Sequence, residues 1–267
     1  MRNSGEYQDY AFVAEYYDHV IPYRNRGDIS FYVEAAEESG GPVLELGCGT
    51  GRVLIPVARS GIQIVGIDLS HHMLKVCRER LQEESEEVRS RAQIFEADMR
   101  DINLDQTFSL ITTPFRSFQH LINVEDQISC LECVNRHLAE GGRLILDIFN
   151  PSLESLTRDN LGKEFGEEPS FDMSDGRQVE RGHIVAARDL FHQVIQAELI
   201  YHVTYPDGRE ERLVHAFPMR YLFRYEAQHL LERCGFDVVD VFADFDKSPY
   251  GSKYPGELLF VATKPHA

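Results

Sequence analysis

Gly47, Gly49 and Gly51 stand at alternate positions directly after an apolar stretch, Val43-Leu44-Glu45-Leu46. A glycine turn there lets a ligand approach the backbone with no Cβ in the way. Asp68 lies 21 residues beyond Gly47, at the end of a second apolar stretch. A carboxylate about 20 residues after such a turn suits a bidentate grip on ribose hydroxyls. Turn and acid together indicate a nucleoside ligand. The dinucleotide fingerprint needs a further glycine where Arg52 stands, and the phosphate-loop pattern with its Lys is absent. A nicotinamide-dependent (NAD or NADP) oxidoreductase is therefore the disfavoured alternative.

The elements that must hold these residues alternate along the chain. Strands are predicted over 43–46, 62–67, 92–96, 108–112 and 143–149, with helices over 52–60, 72–87 and 125–140 between them. An earlier helix begins at Asp28 as its cap, carries Ile29, Tyr32, Val33 and Ala36 on one face, and stops at Gly40-Gly41. Strands alternating with helices pair in parallel through right-handed crossovers. Beyond residue 151 the rhythm changes to strands without helices, over 177–187, 193–205 and 210–222. In the middle one Ile195, Ala197, Leu199, Tyr201 and Val203 share a face. The strand–helix pattern then returns, with strands over 238–243 and 258–263. The expected fold is α/β: a doubly wound, mostly parallel, seven-stranded Rossmann-like sheet with an antiparallel β insert between strands five and six. The segments are an aromatic-rich helical lid (1–41), a nucleoside-binding core (42–150), the insert as a second lid (151–222), and completion of the core sheet (223–267).

Composition narrows the partners. The 267 residues carry 27 Lys and Arg against 44 Asp and Glu, a net charge of −17. A field of that sign repels phosphate backbones, so neither nucleic acid nor an anionic membrane is an expected partner. No apolar run approaches the roughly 18 residues of a membrane helix. The N-terminus shows no apolar signal region, and the five cysteines are scattered, which points to the cytoplasm. Cys130 and Cys133 fall on one predicted helix with no second pair nearby, so they read as packing and no metal site is expected.

The segment Glu45-Leu46-Gly47-Cys48-Gly49-Thr50-Gly51-Arg52 resembles the first motif of the class I S-adenosylmethionine (SAM)-dependent methyltransferases. Asp68, Ser70 and Met73 resemble that family's ribose-binding motif, and Ala97-Asp98-Met99 its adenine-binding segment. Thr113-Pro114-Phe115 matches the position of its motif after strand four. Leu138-Ala139-Glu140-Gly141-Gly142-Arg143 resembles the turn before strand five, with Glu140 in place of the usual Pro. The insert resembles that of small-molecule enzymes, including glycine/sarcosine and amino-sugar N-methyltransferases. The resemblance implies SAM as cofactor. Its binding residues would be Arg26 (or Arg24) at the carboxylate, Glu45, Gly47, Cys48, Gly49 and Gly51 at the methionine part, and Asp68, Leu69 and Met73 around the ribose. Asp98, Met99 and Pro114 would complete the adenine side.

Ligands of such sheets sit beyond the carboxyl ends of the strands. That rule selects Tyr17, Phe115, Arg116, Phe149, Asn150, Asp244 and Tyr250 as acceptor-binding candidates. His120 or Asp147 is the candidate general base. The acceptor is expected to be a small-molecule amine or hydroxyl, with Asp147, Asp244 and Asp246 suited to a cationic amine. The tyrosines Tyr7, Tyr10, Tyr16, Tyr17, Tyr23 and Tyr32 read either as aromatic packing or as a lid over the sulfonium cation. His183, His202 and His215 read as ordinary solvated or paired residues. A SAM-binding module without catalysis is the non-enzyme alternative, and monomer and homodimer both stand open.

Overall fold

The first strand, β1 (Val43–Leu46), is buried at every position. It pairs in parallel with β2 (Ile64–Asp68) on one side and β4 (Phe108–Thr113) on the other. Beyond β2 lies β3 (Ala92–Glu96), and beyond β4 lies β5 (Leu138–Phe149), both also parallel. The far edge is antiparallel: β12 (Glu257–Thr263) pairs with β5, and β11 (Asp237–Phe242) with β12. The order β11-β12-β5-β4-β1-β2-β3 is the doubly wound sheet that the alternation of elements predicts. It reverses between β1 and β4, which opens a crevice at the carboxyl ends of those two strands. This computed structural model describes residues 10–166 and 168–265. Residues 1–9 of the expected N-terminal lid, Tyr7 included, lie outside the described residues.

Each face of the sheet buries its own core. Leu44, Leu46 and Ile111 point to the side covered by α7 (Val124–His137) and α9 (Arg224–Arg233). Val43 and Leu110 point to the side covered by α3 (Asp28–Ser39), α4 (Leu54–Arg59) and α5 (His71–Gln82). Full burial of each such aliphatic chain contributes about 1.5–3 kcal/mol. The helix predicted over 72–87 is two helices. Ser70 caps α5 by accepting from the Met73 N–H, and Ser85 caps α6 (Glu86–Arg91) by accepting from Val88. A second serine cap restarts the helix inside what reads as one charged run. The helix predicted to end at residue 140 stops at His137, and the chain enters β5 directly.

The insert begins with α8 (Leu153–Thr157) and two short strands, β6 (Glu164–Phe165) and β7 (Phe171–Asp172), which the residue pattern does not announce. Three long strands follow: β8 (Gln178–Asp189), β9 (Val194–Thr204) and β10 (Glu210–Arg220). They pair antiparallel in the order β10-β9-β8-β6. The face predicted for β9 is the inner one. Tyr201 and Val203 pack there against Tyr16 of α1 (Ala11–Tyr17) and against Val20, which precedes α2 (Ile21–Arg24). The N-terminal helices thus hold one half of that face. Its other half covers the crevice.

Candidate active site

The 47–51 turn forms because β1 ends in residues that only glycine tolerates. Gly47 has φ 74°, and a Cβ on it would lie 2.6 Å from the Ser117 hydroxyl oxygen. Gly49 has φ 53° with nothing within 4 Å of where its Cβ would be, so its face stays open to a ligand. Asp68, at the end of β2, accepts from the Gly49 N–H at 2.9 Å and from the Ser70 N–H at 2.8 Å. Burial raises its pKa, and those backbone donors pull it back. Two donors leave lone pairs of the carboxylate for ribose hydroxyls.

After β4 the chain makes a short 3-10 segment, Pro114–His120, in which Phe115 (φ 56°) and Arg116 (φ 68°) are both left-handed. Two consecutive non-glycine residues there are costly unless the surroundings enforce the shape. A buried charge network does so. Asp147 of β5 is fully buried and accepts from the Phe115 N–H at 3.0 Å. Arg26 pairs with Asp147 at 3.1 Å and with Glu257 at 3.2 Å. Asp28 joins Arg26 to Arg52, which it holds bidentately at 2.7 and 2.6 Å. Both guanidiniums lie over the Phe115 ring, at 4.9 and 5.0 Å. Asp28 is therefore not the helix cap expected from sequence. Gly27 occupies that place without a side-chain bond, and Asp28 is spent on Arg52. Burial pushes Asp147 up to about 6 against the pull of Arg26.

A cavity of about 540 Å³ runs from the glycine turn to the inner face of the antiparallel sheet, within the size range of small-ligand sites. Gly47, Gly49, Asp68, Leu69, Met73 and Met99 line its first end. Tyr17, Tyr23 and Phe115 form an aromatic cluster at its waist, with ring centroids 4.6–6.0 Å apart. Tyr17 is placed by its neighbour Asp18. That carboxylate accepts from Thr50 Oγ1 at 2.9 Å and from Arg80 at 3.0 Å, latching α1 to the glycine turn.

At the far end the sheet supplies three aligned rows. His183, Leu199 and His215 form one; Val185, Ala197 and Phe217 the next; Arg188, Ile195 and Met219 the third. His120 stands over Phe217 at 5.4 Å and lines the cavity. Its imidazole faces the cavity, yet the surrounding protein lowers its pKa to about 4, so it is neutral at pH 7. His215 is fully buried beside Phe217, and burial lowers its pKa to about 3.

The structure brings eleven candidates to the cavity: the six at its first end, Tyr17, Phe115, Arg116, Phe149 and His120. It places the others elsewhere. Arg26 and Asp147 form the network beneath Phe115. Glu45 and Cys48 are buried beneath the turn, and burial pushes both pKa values well up. Gly51 packs on Cys77, and Pro114 is buried. Asp98 pairs with Arg100. Asn150 donates to the Pro255 carbonyl. Asp244 and Asp246 pair with Lys253, and Tyr250 lies beside Arg224. None of the three carboxylates expected for a cationic amine lines the cavity. Sequence reasoning missed Ser117, Phe217, Met219 and Arg188, and took His183, which lines the cavity, for an ordinary residue. The alternating pattern of the insert was the available signal for them. Among the described residues there is no cluster of three or more His, Cys, Asp or Glu able to hold a metal, and no helix is long and apolar enough to cross a membrane.

Residues 43–142 match the methyltransferase domain family. YqeM of Bacillus subtilis, which carries a methyltransferase name with no acceptor, is 26% identical over 262 residues, 97% of each chain. A Streptomyces cypemycin N-terminal methyltransferase is 34% identical over 114 residues, 42% of this chain and 44% of that one. Among solved structures, the CcbJ methyltransferase of Streptomyces caelestis superposes with a TM-score of 0.76 at 21% identity, covering 99% of this chain and all of that one. SAM-bound CalS10, an amino pentose methyltransferase from Micromonospora echinaspora, gives 0.69 at 22%, covering 96% and 97%. At these identities the structures establish the fold. The open face of Gly49, the lone pairs of Asp68 and the aromatic cluster fit an adenosyl sulfonium. Residues 43–142 thus carry a methyltransferase domain, the chain as a whole has the fold of SAM-dependent methyltransferases, and the site fits their cofactor.

Proposed function

We propose that the enzyme methylates a small molecule held between the two sheets, on an amine in preference to a hydroxyl. The observation that carries this reading is the single cavity joining the glycine turn and Asp68 to the inner face of the antiparallel sheet. SAM supplies a methyl group already activated for in-line displacement. The protein's part is then alignment and exclusion of water. Gly47, Gly49, Asp68, Leu69, Met73 and Met99 hold the adenosyl end. Tyr17, Tyr23 and Phe115 offer aromatic faces to the sulfonium charge. His120, neutral at pH 7, stands where it can accept the N–H or O–H of the acceptor. Asp147 acts through Phe115 as a positioning residue rather than as the base. The N-methylation preference follows relatives such as a Streptomyces fradiae dTDP-3-amino-3,6-dideoxyglucopyranose N,N-dimethyltransferase, 28% identical over 54% of this chain and 56% of that one. A ubiquinone biosynthesis O-methyltransferase of Xanthomonas oryzae, 31% identical over 50% of this chain and 54% of that one, keeps a hydroxyl as the second reading. The five free cysteines suit a reducing compartment, the cytoplasm. The net charge argues against a nucleic-acid acceptor.

The test is a thermal-shift comparison of SAM, S-adenosylhomocysteine (SAH), NAD and NADP. A ligand at about 100 times its Kd stabilises by roughly 2.7 kcal/mol. Stabilisation by the two adenosyl compounds alone, followed by methyl incorporation from labelled SAM into an amine panel, is the expected result. Stabilisation by the nicotinamides, or SAH binding with no transfer to any amine or hydroxyl, would overturn it.

A further inference from the structure

β8 does not keep a strict two-residue period. Its register with β9 shifts between Val185 and Ala187, a bulge that sets two residues against one. Without that shift, Val185 and Arg188, three residues apart, would face opposite sides. With it, both line the cavity, and Arg188 stands opposite Ile195. The bulge turns a cation into an apolar wall.

The guanidinium of Arg188 is held but not neutralised. It donates to the Arg158 carbonyl at 2.9 Å and to the Asn160 side-chain oxygen, both uncharged. An arginine has five N–H donors, so these two bonds leave capacity for a further acceptor. Glu154 pairs with Arg158, Asp189 with His192 and Glu168 with Arg181, and the exposed Asp159, between Arg158 and Asn160, makes no ion pair with Arg188. Among the described residues, no carboxylate pairs with Arg188. In a chain of net charge −17, an uncompensated guanidinium on a cavity wall is a local reversal of sign.

Resting on the methyltransferase reading above, we propose that the acceptor carries an anionic group, a carboxylate or a phosphate, which docks on Arg188. Its apolar body lies along Val185, Ile195 and Ala197, and the atom to be methylated lies toward His120. Arg188 and Phe217, over which His120 stands, are two strands and two residues apart, roughly 12 Å at ordinary sheet spacings. The acceptor is accordingly an elongated molecule, anionic at the end remote from the methylated atom.

Four probes of one shape, 3-phenylpropanoate, phenethyl phosphate, 3-phenylpropanamide and 3-phenylpropylamine, would be titrated calorimetrically into the SAH-saturated protein. The two anions are expected to bind about tenfold or more tighter than the amide, as a charge-assisted pair requires. The stronger of the two identifies the group. In Arg188→Gln that preference should vanish, and in Arg188→Lys part of it should return, with SAH affinity unchanged in both. Equal binding of all four probes, tightest binding of the amine, no anion binding, or an anion preference that survives Arg188→Gln would each overturn the proposal. Failure of the wild-type protein to bind SAH would instead overturn the methyltransferase reading beneath it.

Discussion

At its glycine end the cavity is shaped by a backbone turn, and at its sheet end by a face of side chains. The 47–51 turn presents the open face of Gly49, and Asp68 is fixed by two backbone N–H groups. Its geometry follows from chain direction and glycine placement. The antiparallel sheet presents Val185, Ala197, Ile195, Phe217 and Met219, whose identities set shape while their backbone is spent on strand pairing. A cofactor shared across a family suits the first kind of wall. An acceptor that differs between members suits the second, because side chains change without disturbing the ladder. Between the two stands Phe115, in a left-handed turn enforced by charge.

If that buried network couples the two ends, breaking it should have the largest effect. Asp147→Ala leaves Arg26 with Glu257 and Asp28 alone and frees the Phe115 N–H. It should cost about 3 kcal/mol in chemical denaturation, with Asp147→Asn recovering part. A loss below about 1 kcal/mol would mean that the turn holds itself. The ends should also separate kinetically. His120→Ala should lower kcat about 100-fold while SAH affinity stays constant. Unaltered turnover would make His120 part of the wall only.

Acid should distinguish the sheet end. His215 has its folded pKa lowered from 6.5 to about 3 by burial, so its contribution is whole above 6.5 and is lost as pH falls toward 3. At pH 5 the loss is about 2 kcal/mol relative to pH 7. Asp147, raised toward 6, shifts stability the opposite way in part of that window. The stability difference between wild type and His215→Gln cancels it and should shrink as the pH drops. A difference independent of pH would contradict the shift. The smallest effect concerns the latch. Asp18→Asn weakens the tie from α1 to Thr50 and Arg80, and should weaken SAM binding by about 1 kcal/mol, measured by calorimetry. No change would leave Tyr17 placed by packing alone.

The two walls also differ in how far the residue order reveals them. Glycine spacing, Asp68 and the strand rhythm are local signals, and they locate β1, β2 and the turn between them. The same rhythm gives the doubly wound class of the sheet and the inner face of β9. What escapes is settled by contacts distant in the chain. Asp28 looks like a cap because nothing local shows Arg52 folding back onto it. Phe115 and Arg116 carry no glycine to mark a left-handed turn. Arg188 is out of phase with its strand until the bulge moves it. Asp244 and Tyr250 follow a strand on the expected edge, but their loop turns toward Lys253 and Arg224 rather than the cavity.

Every role proposed above depends on the glycine turn and Asp68 forming the SAM site. Calorimetric titration of SAH into wild type and Asp68→Ala tests that most directly. Removing charge-assisted bonds to the ribose should cost about 1.5–3 kcal/mol, roughly 10- to 150-fold in Kd. Equal affinity in the two proteins would place the cofactor elsewhere and contradict the site described.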